Sequence, residues 1–78
     1  MKIVVYSKPD CTDCRKAKMF FNHYKMSYTE KDIEADPQAM DELMELGSMK
    51  LSTIVINGQV FIGFAENMYA IKELLNLN

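Results

Sequence analysis

The sequence predicts a single α/β domain over residues 1–78, in the order β-α-β-α-β-β-α, with a four-stranded mixed sheet flanked by helices. Three observations predict it. A short, apolar, β-branched run, "KIVVY", opens the chain. Two helical stretches follow, with a weaker strand between them. The segment "STIVINGQVFIGF" then sets two apolar runs either side of Asn57-Gly58, the preferred pair for a type I′ hairpin turn.

Taken in order, Lys2 to Tyr6 reads as a buried strand because its apolar residues run without alternation. "SKPD" is a turn. From about Thr12 to Tyr24 the spacing of Cys14, Ala17, Phe20 or Phe21, and Tyr24 is helical. Ser27 to Ile33 alternates, with Tyr28 and Ile33 as apolar anchors. "ADPQAMDELMELG" has Asp36 as N-cap, Pro37 at the first helical position and Gly47 at C′. Its expected apolar face is Met40, Leu43, Met44 and Leu46. Thr53 to Ile56 and Gln59 to Ile62 form the hairpin. A last amphipathic helix starts near Glu66 and buries Met68, Ile71, Leu74 and Leu75. The seven methionines fall mostly on apolar helix positions and read as core filler. Tyr6 and Tyr69 read as packing residues.

Composition narrows the function. Hydrophobic residues make up 49% and charged residues 26%, which allows one modest core and argues against disorder. The net charge of −2 and the lack of a basic stripe disfavour nucleic acid as a partner. No apolar run approaches the roughly 18 residues of a membrane span. "MKIVVYSKPD" is too short for a secretory signal, so the expected compartment is the cytoplasm.

The two cysteines, Cys11 and Cys14, stand in "KPDCTDCRKA". They could hold a metal, staple the fold or perform redox chemistry. A staple across so small a loop constrains the unfolded chain little, and a reducing cytosol disfavours it. Zinc wants four ligands, and the only histidine, His23, lies over two helical turns from Cys14 and reads as a surface residue. A redox pair needs only the two thiols.

Cys-x-x-Cys between the first strand and first helix, with the hairpin at this distance, resembles the thioredoxin-like fold in its minimal glutaredoxin form. The residues that carry the likeness are Tyr6-Ser7-Lys8-Pro9-Asp10-Cys11-Thr12-Asp13-Cys14, Thr53 to Gly58, and Ile62-Gly63. The likeness spans essentially the whole chain. Gly63-Phe64 is similar to the last motif of the glutaredoxin-like hydrogen donors of ribonucleotide reductase.

The resemblance implies a dithiol thiol–disulfide oxidoreductase, a glutaredoxin-like electron donor that reduces protein or glutathione mixed disulfides. Cys11, at the helix start, is the expected nucleophile. Free backbone N–H groups and the positive end of the dipole favour an anion there, and Lys8, Arg15 and Lys16 add positive charge. Comparable sites lower a thiol pKa from about 8.5 to roughly 3.5–7.5. Cys14, one turn on, is the expected resolving thiol. Thr12 and Asp13 lie between the cysteines as modulating residues. Asp13 either opposes the thiolate, making the pair more reducing, or serves only as a helix cap. Lys8 matches the lysine that meets a glutathione carboxylate.

Two departures from the family pattern bear on specificity. Ser52 stands where the family carries a cis-proline, which makes Leu51 the expected docking residue for a substrate backbone. A non-proline cis bond costs about 2.5–4 kcal/mol, so the expectation is a trans Leu51–Ser52 bond with the serine hydroxyl turned toward Cys11. An open side at Ser52 also favours the alternative function, an iron–sulfur or metal-binding module built on the same cysteines. The second departure is Gly63-Phe64-Ala65-Glu66-Asn67, where glutathione-using relatives carry Gly-Gly and a downstream Asp. Gly63, Glu66 and Asn67 are the residues left to hold a substrate, and Phe64 is expected to narrow the groove. No resident cofactor or metal is expected, and glutathione is a candidate reductant. The implied partners are a protein disulfide, with ribonucleotide reductase as candidate, and glutathione or a flavin-dependent disulfide reductase. The chain is expected to be a monomer.

Overall fold

One of the two interior strands of the sheet is buried on both faces, and this organises the molecule. The computed structural model describes residues 1–77. β1 (Ile3–Ser7) is buried throughout. Ile3 and Val5 enter one core with Ala17, Phe21, Ile54, Ile56, Phe61, Phe64, Ile71 and Leu75. Val4 and Tyr6 enter the other, smaller core with Leu43. Successive strand residues point to opposite faces, so a strand covered on both sides must read as the unbroken apolar run seen in the sequence.

β1 pairs in parallel with β2 (Thr29–Asp32) and antiparallel with β3 (Thr53–Ile56). β4 (Gln59–Ile62) closes the hairpin, and the sheet order is β2-β1-β3-β4. Asn57 and Gly58 both have positive φ, 50° and 87°, as a type I′ turn requires. Tyr28 and Ile33 flank β2 and pack against opposite cores.

α1 (Thr12–His23) and α3 (Met68–Leu74) lie on the larger core, and α2 (Pro37–Glu45) lies on the smaller one. α1 buries Cys14, Ala17 and Phe21. In α2, the Asp36 carboxylate accepts from the Gln38 N–H, Pro37 opens the helix and Gly47 has φ 79°. All three signals stand as expected.

The structure corrects four packing expectations. α2 buries Ala39 and Leu43, whereas Met40 and Met44 are exposed. The inward stripe is the i, i+4 pair Ala39 and Leu43; this rotation also brings Glu42 to Tyr6 and Lys31, at 3.0 and 2.7 Å, and leaves the two methionines outward. The methionines are not mainly core filler: Met1, Met19, Met40, Met44 and Met49 are exposed, and Met26 and Met68 pack on the core. Tyr69 is 80% exposed, because Ile71 and Leu75 form the inward face of the last helix. Leu74 falls outside that face and is also exposed. A 3₁₀ turn at Ala65–Asn67 precedes α3, so the regular helix begins two residues later than Glu66.

Candidate active site

Cys11 is the N-cap of α1, with φ −106° and ψ 109°. Its sulfur accepts the Cys14 N–H at 3.2 Å, and its carbonyl accepts the Arg15 N–H at 3.1 Å. The third helical residue therefore offers its orphan N–H to the sulfur of the cap. Asp10, at φ 63°, makes the turn that brings the chain from β1 into this position. Cys11 and Cys14 are disulfide-bonded, with Cα atoms 5.2 Å apart. Cys11 is half-exposed, while Cys14 is 1% exposed. Cys14 Sγ lies 3.9 Å from the Tyr6 carbonyl oxygen, which can accept its S–H in the reduced form. One sulfur faces outward at a helix start and the other lies behind it. This arrangement suits attack by Cys11 and resolution by Cys14.

Lys8, Thr12, Arg15 and Lys16 are exposed around the cysteines. Asp13 does something that neither sequence expectation contained. Its carboxylate crosses to two distant loops. Oδ2 accepts the Ser52 N–H at 3.0 Å, the Ser52 hydroxyl at 2.7 Å and the Phe64 N–H at 2.7 Å. Oδ1 accepts the Ala65 N–H at 3.0 Å. Burial alone would push this carboxyl up. The hydrogen bonds from the Phe64 N–H, the Ser52 hydroxyl, the Ala65 N–H and the Ser52 N–H outweigh it and hold the group below its ordinary value. Asp13 thus caps the 3₁₀ turn before α3, while Cys11 caps Asp13's own helix.

Ser52 is fully buried, and the Leu51–Ser52 peptide is cis rather than trans as expected. Its hydroxyl does not turn to Cys11. Asp13, a charged acceptor, takes both of its donors. The local preference for trans is thus overruled by the fold around Ser52. Leu51 packs against the smaller core. Gly63, at φ 89°, donates its N–H to the Ser52 carbonyl at 2.7 Å. A Cβ there would meet Glu66 Oε1 at 3.1 Å. Glu66 is ion-paired with Lys50, and Asn67 Nδ2 donates to the carbonyls of Ile62 and Gly63 at 2.9 and 2.7 Å. The proposed substrate-binding residues Leu51, Ser52, Gly63, Glu66 and Asn67 therefore gather in two adjoining loops. The polar side chains among them are engaged with the protein itself.

Lys50, Phe64 and Ala65 were not singled out by the sequence as polar partners in this site. The readable signal was indirect: a glycine turn followed by a helix start leaves free N–H groups that require an acceptor. Among the described residues no group of three or more His, Cys, Asp or Glu side chains is placed to hold a metal. No helix among them is long and apolar enough to cross a membrane.

The family model described as glutaredoxin matches residues 3–62. The chain belongs to the glutaredoxin family. This glutaredoxin-family chain shares 36% identity with the thioredoxin-like protein BC3987, in a point variant whose solved structure superimposes with a TM-score of 0.91 over 99% of this chain and 97% of that one. It has the fold of the glutaredoxin-like protein NrdH-redoxin from Escherichia coli, with a TM-score of 0.80 and 21% identity over 91% of this chain and 93% of that one. It also matches the global transcriptional regulator Spx 1 of Bacillus cereus, at 41% identity over 44 residues, 56% of this chain. The chain spans about a third (34%) of the length of that curated relative. A glutaredoxin fold with a Cys-x-x-Cys pair at disulfide distance supports thiol–disulfide redox function.

Proposed function

We propose that the protein is a dithiol oxidoreductase that reduces disulfides in other proteins in the cytoplasm. The observation that carries this reading is the asymmetry of the pair. Cys11 caps a helix with its sulfur accepting a backbone N–H, and Cys14 is buried one turn behind it. In the reduced protein the Cys11 thiolate attacks one sulfur of a substrate disulfide, and the other substrate sulfur leaves as thiolate. Cys14 then attacks Cys11 Sγ. The second substrate thiol departs, and the enzyme keeps the Cys11–Cys14 disulfide. Two electrons have passed to the substrate. Glutathione or a flavin-dependent disulfide reductase restores them.

The engagement of Glu66, Asn67 and the Phe64 and Ala65 N–H groups within the protein favours the reductase over glutathione. A protein-disulfide reduction assay tests the function, supplied in one arm with glutathione and its reductase and in the other with thioredoxin reductase. Turnover by wild type and its loss in Cys11→Ser are expected. No turnover in either arm overturns the reading.

A second reading draws on the curated relatives, which are named transcriptional regulators. In that reading the pair is a switch that is oxidised once and alters binding. Stoichiometric oxidation by peroxide without catalytic turnover in either arm would favour it.

A further inference from the structure

Along α1, the helix that Cys11 caps, runs a groove of about 590 Å³, lined by residues of α1, the 3₁₀ turn and α3. Its apolar lining includes Met19, Phe20, Phe64 and Met68. Phe20 sits with its ring centroid 5.2 Å from Phe64 and 4.9 Å from Tyr24, so these walls are braced by aromatic contacts. Met19 is 64% exposed, a large apolar side chain open to solvent. The charged lining is of one sign, Lys16 and Lys72. Among the described residues no aspartate or glutamate lines it, in a chain whose net charge is −2. The two carboxylates next to Ala65 are already engaged, Asp13 by four hydrogen bonds and Glu66 by Lys50.

The groove shares helix α1 and the Phe64–Ala65 loop with the redox site. α1 carries Cys11 at its cap and Lys16, Met19, Phe20 and His23 further along. Phe64 and Ala65, at the other wall, are the residues whose N–H groups Asp13 holds. We infer that this groove docks an acidic amphipathic segment of the protein substrate, its apolar side chains against Met19, Phe20 and Met68 and its carboxylates against Lys16 and Lys72. The inference rests on the reading of the protein as a reductant of protein disulfides and names the recognition element of that substrate. Apolar anchors at helical spacing suit a groove between two helices. A single-signed rim selects the partner's charge and speeds its encounter. An exposed methionine adapts its shape to different anchors.

The probe is a synthetic helical peptide, free of cysteine, with Leu and Phe at i, i+3, i+4 and i+7 and glutamate on its other face. A control peptide carries lysine in place of each glutamate. Both are titrated into the full, disulfide-bonded chain, with affinity read by fluorescence anisotropy and the contact face by NMR shifts. The acidic peptide is expected to bind about tenfold or more tightly than the basic one, which is about 1.4 kcal/mol or more. Shifts should centre on Met19, Ala65 and Met68. Met19→Glu should weaken the acidic peptide, and Lys72→Glu should narrow the preference between the two. The wild-type comparison of the peptides decides the matter even where a variant folds poorly. Equal affinity for the two peptides, binding of neither, or shifts centred elsewhere would overturn the inference. So would concentration-dependent self-association through the same residues, which would assign the groove to a second copy of the chain. The peptides carry no sulfur, so these outcomes are separate from failure of the disulfide-reduction assay, which overturns the proposed function instead.

Discussion

The carboxylate of Asp13 holds both donors of Ser52, across 39 residues of chain, with the N–H at 3.0 Å and the hydroxyl at 2.7 Å. The same carboxylate takes the N–H groups of Phe64 and Ala65. One side chain between the two cysteines therefore ties the start of α1 to both loops beside the redox pair. Ser52→Ala, which removes one hydrogen bond to a charged acceptor, is expected to cost about 1.5–3 kcal/mol. Urea unfolding of the single variants and of the Ser52→Ala/Asp13→Asn pair measures it. Additive effects in that double-mutant cycle would show the two residues to be uncoupled.

Acid should reveal the same carboxylate. Its folded pKa is depressed, because its four donors outweigh burial. Its stabilising contribution is complete above the unfolded value of about 3.9 and is lost as pH falls through the lower folded value. Wild type should therefore lose stability more steeply than Asp13→Asn below about pH 4. Denaturant midpoints measured down to the acid limb check this, and parallel curves would remove Asp13 as the cause.

Asp13→Asn should also make the Cys11–Cys14 pair more oxidising. Removing a negative charge two residues along from Cys11 favours the thiolate and hence the reduced form. Equilibration against glutathione buffers reads the potential, where about 30 mV is a tenfold change in the equilibrium constant. No shift would leave Asp13 as a structural tie alone.

Cys11 should react first. It is half-exposed at the helix cap, whereas Cys14 is 1% exposed. On the reduced protein at mildly acid pH, mass spectrometry after brief alkylation should find the label on Cys11. Cys14→Ser should accumulate mixed disulfides with substrate, and Cys11→Ser should form none. Labelling of Cys14 ahead of Cys11 would reverse the assigned roles.

The sheet offers an independent test. Tyr6 donates its hydroxyl to Glu42 at 3.0 Å, and its pKa is raised to about 12 by burial and then by the Glu42 hydrogen bond and charge. A raised value gives stability that is full below the unfolded value of about 10 and is lost as pH rises toward the folded one. Ultraviolet titration should show one tyrosine ionising near pH 12, and Tyr6→Phe should remove that phase. Tyr6→Phe should cost about 0.5–1.5 kcal/mol in neutral buffer.

The sequence by itself determined the element order, the hairpin and the two redox sulfurs. Each is fixed by neighbours along the chain: positive φ at Asn57-Gly58 makes the turn, Asp36-Pro37 starts a helix, and a spacing of three on one helix brings Cys14 to Cys11. The tertiary structure alone decided which helix face turns inward. An apolar stripe permits several rotations, and the one adopted buries Ala39 and Leu43, brings Glu42 to Tyr6 and exposes Met40 and Met44. It also decided the fate of Ser52, Glu66 and Asn67, whose polar groups could have faced a substrate but were taken by partners within the fold. Asp13 lies at the division between the two. Its charge and its place between the cysteines are local facts, but its four donors come from loops 39 to 52 residues away. A hydrogen bond depends on where distant backbone is brought, and no periodicity along the chain records that.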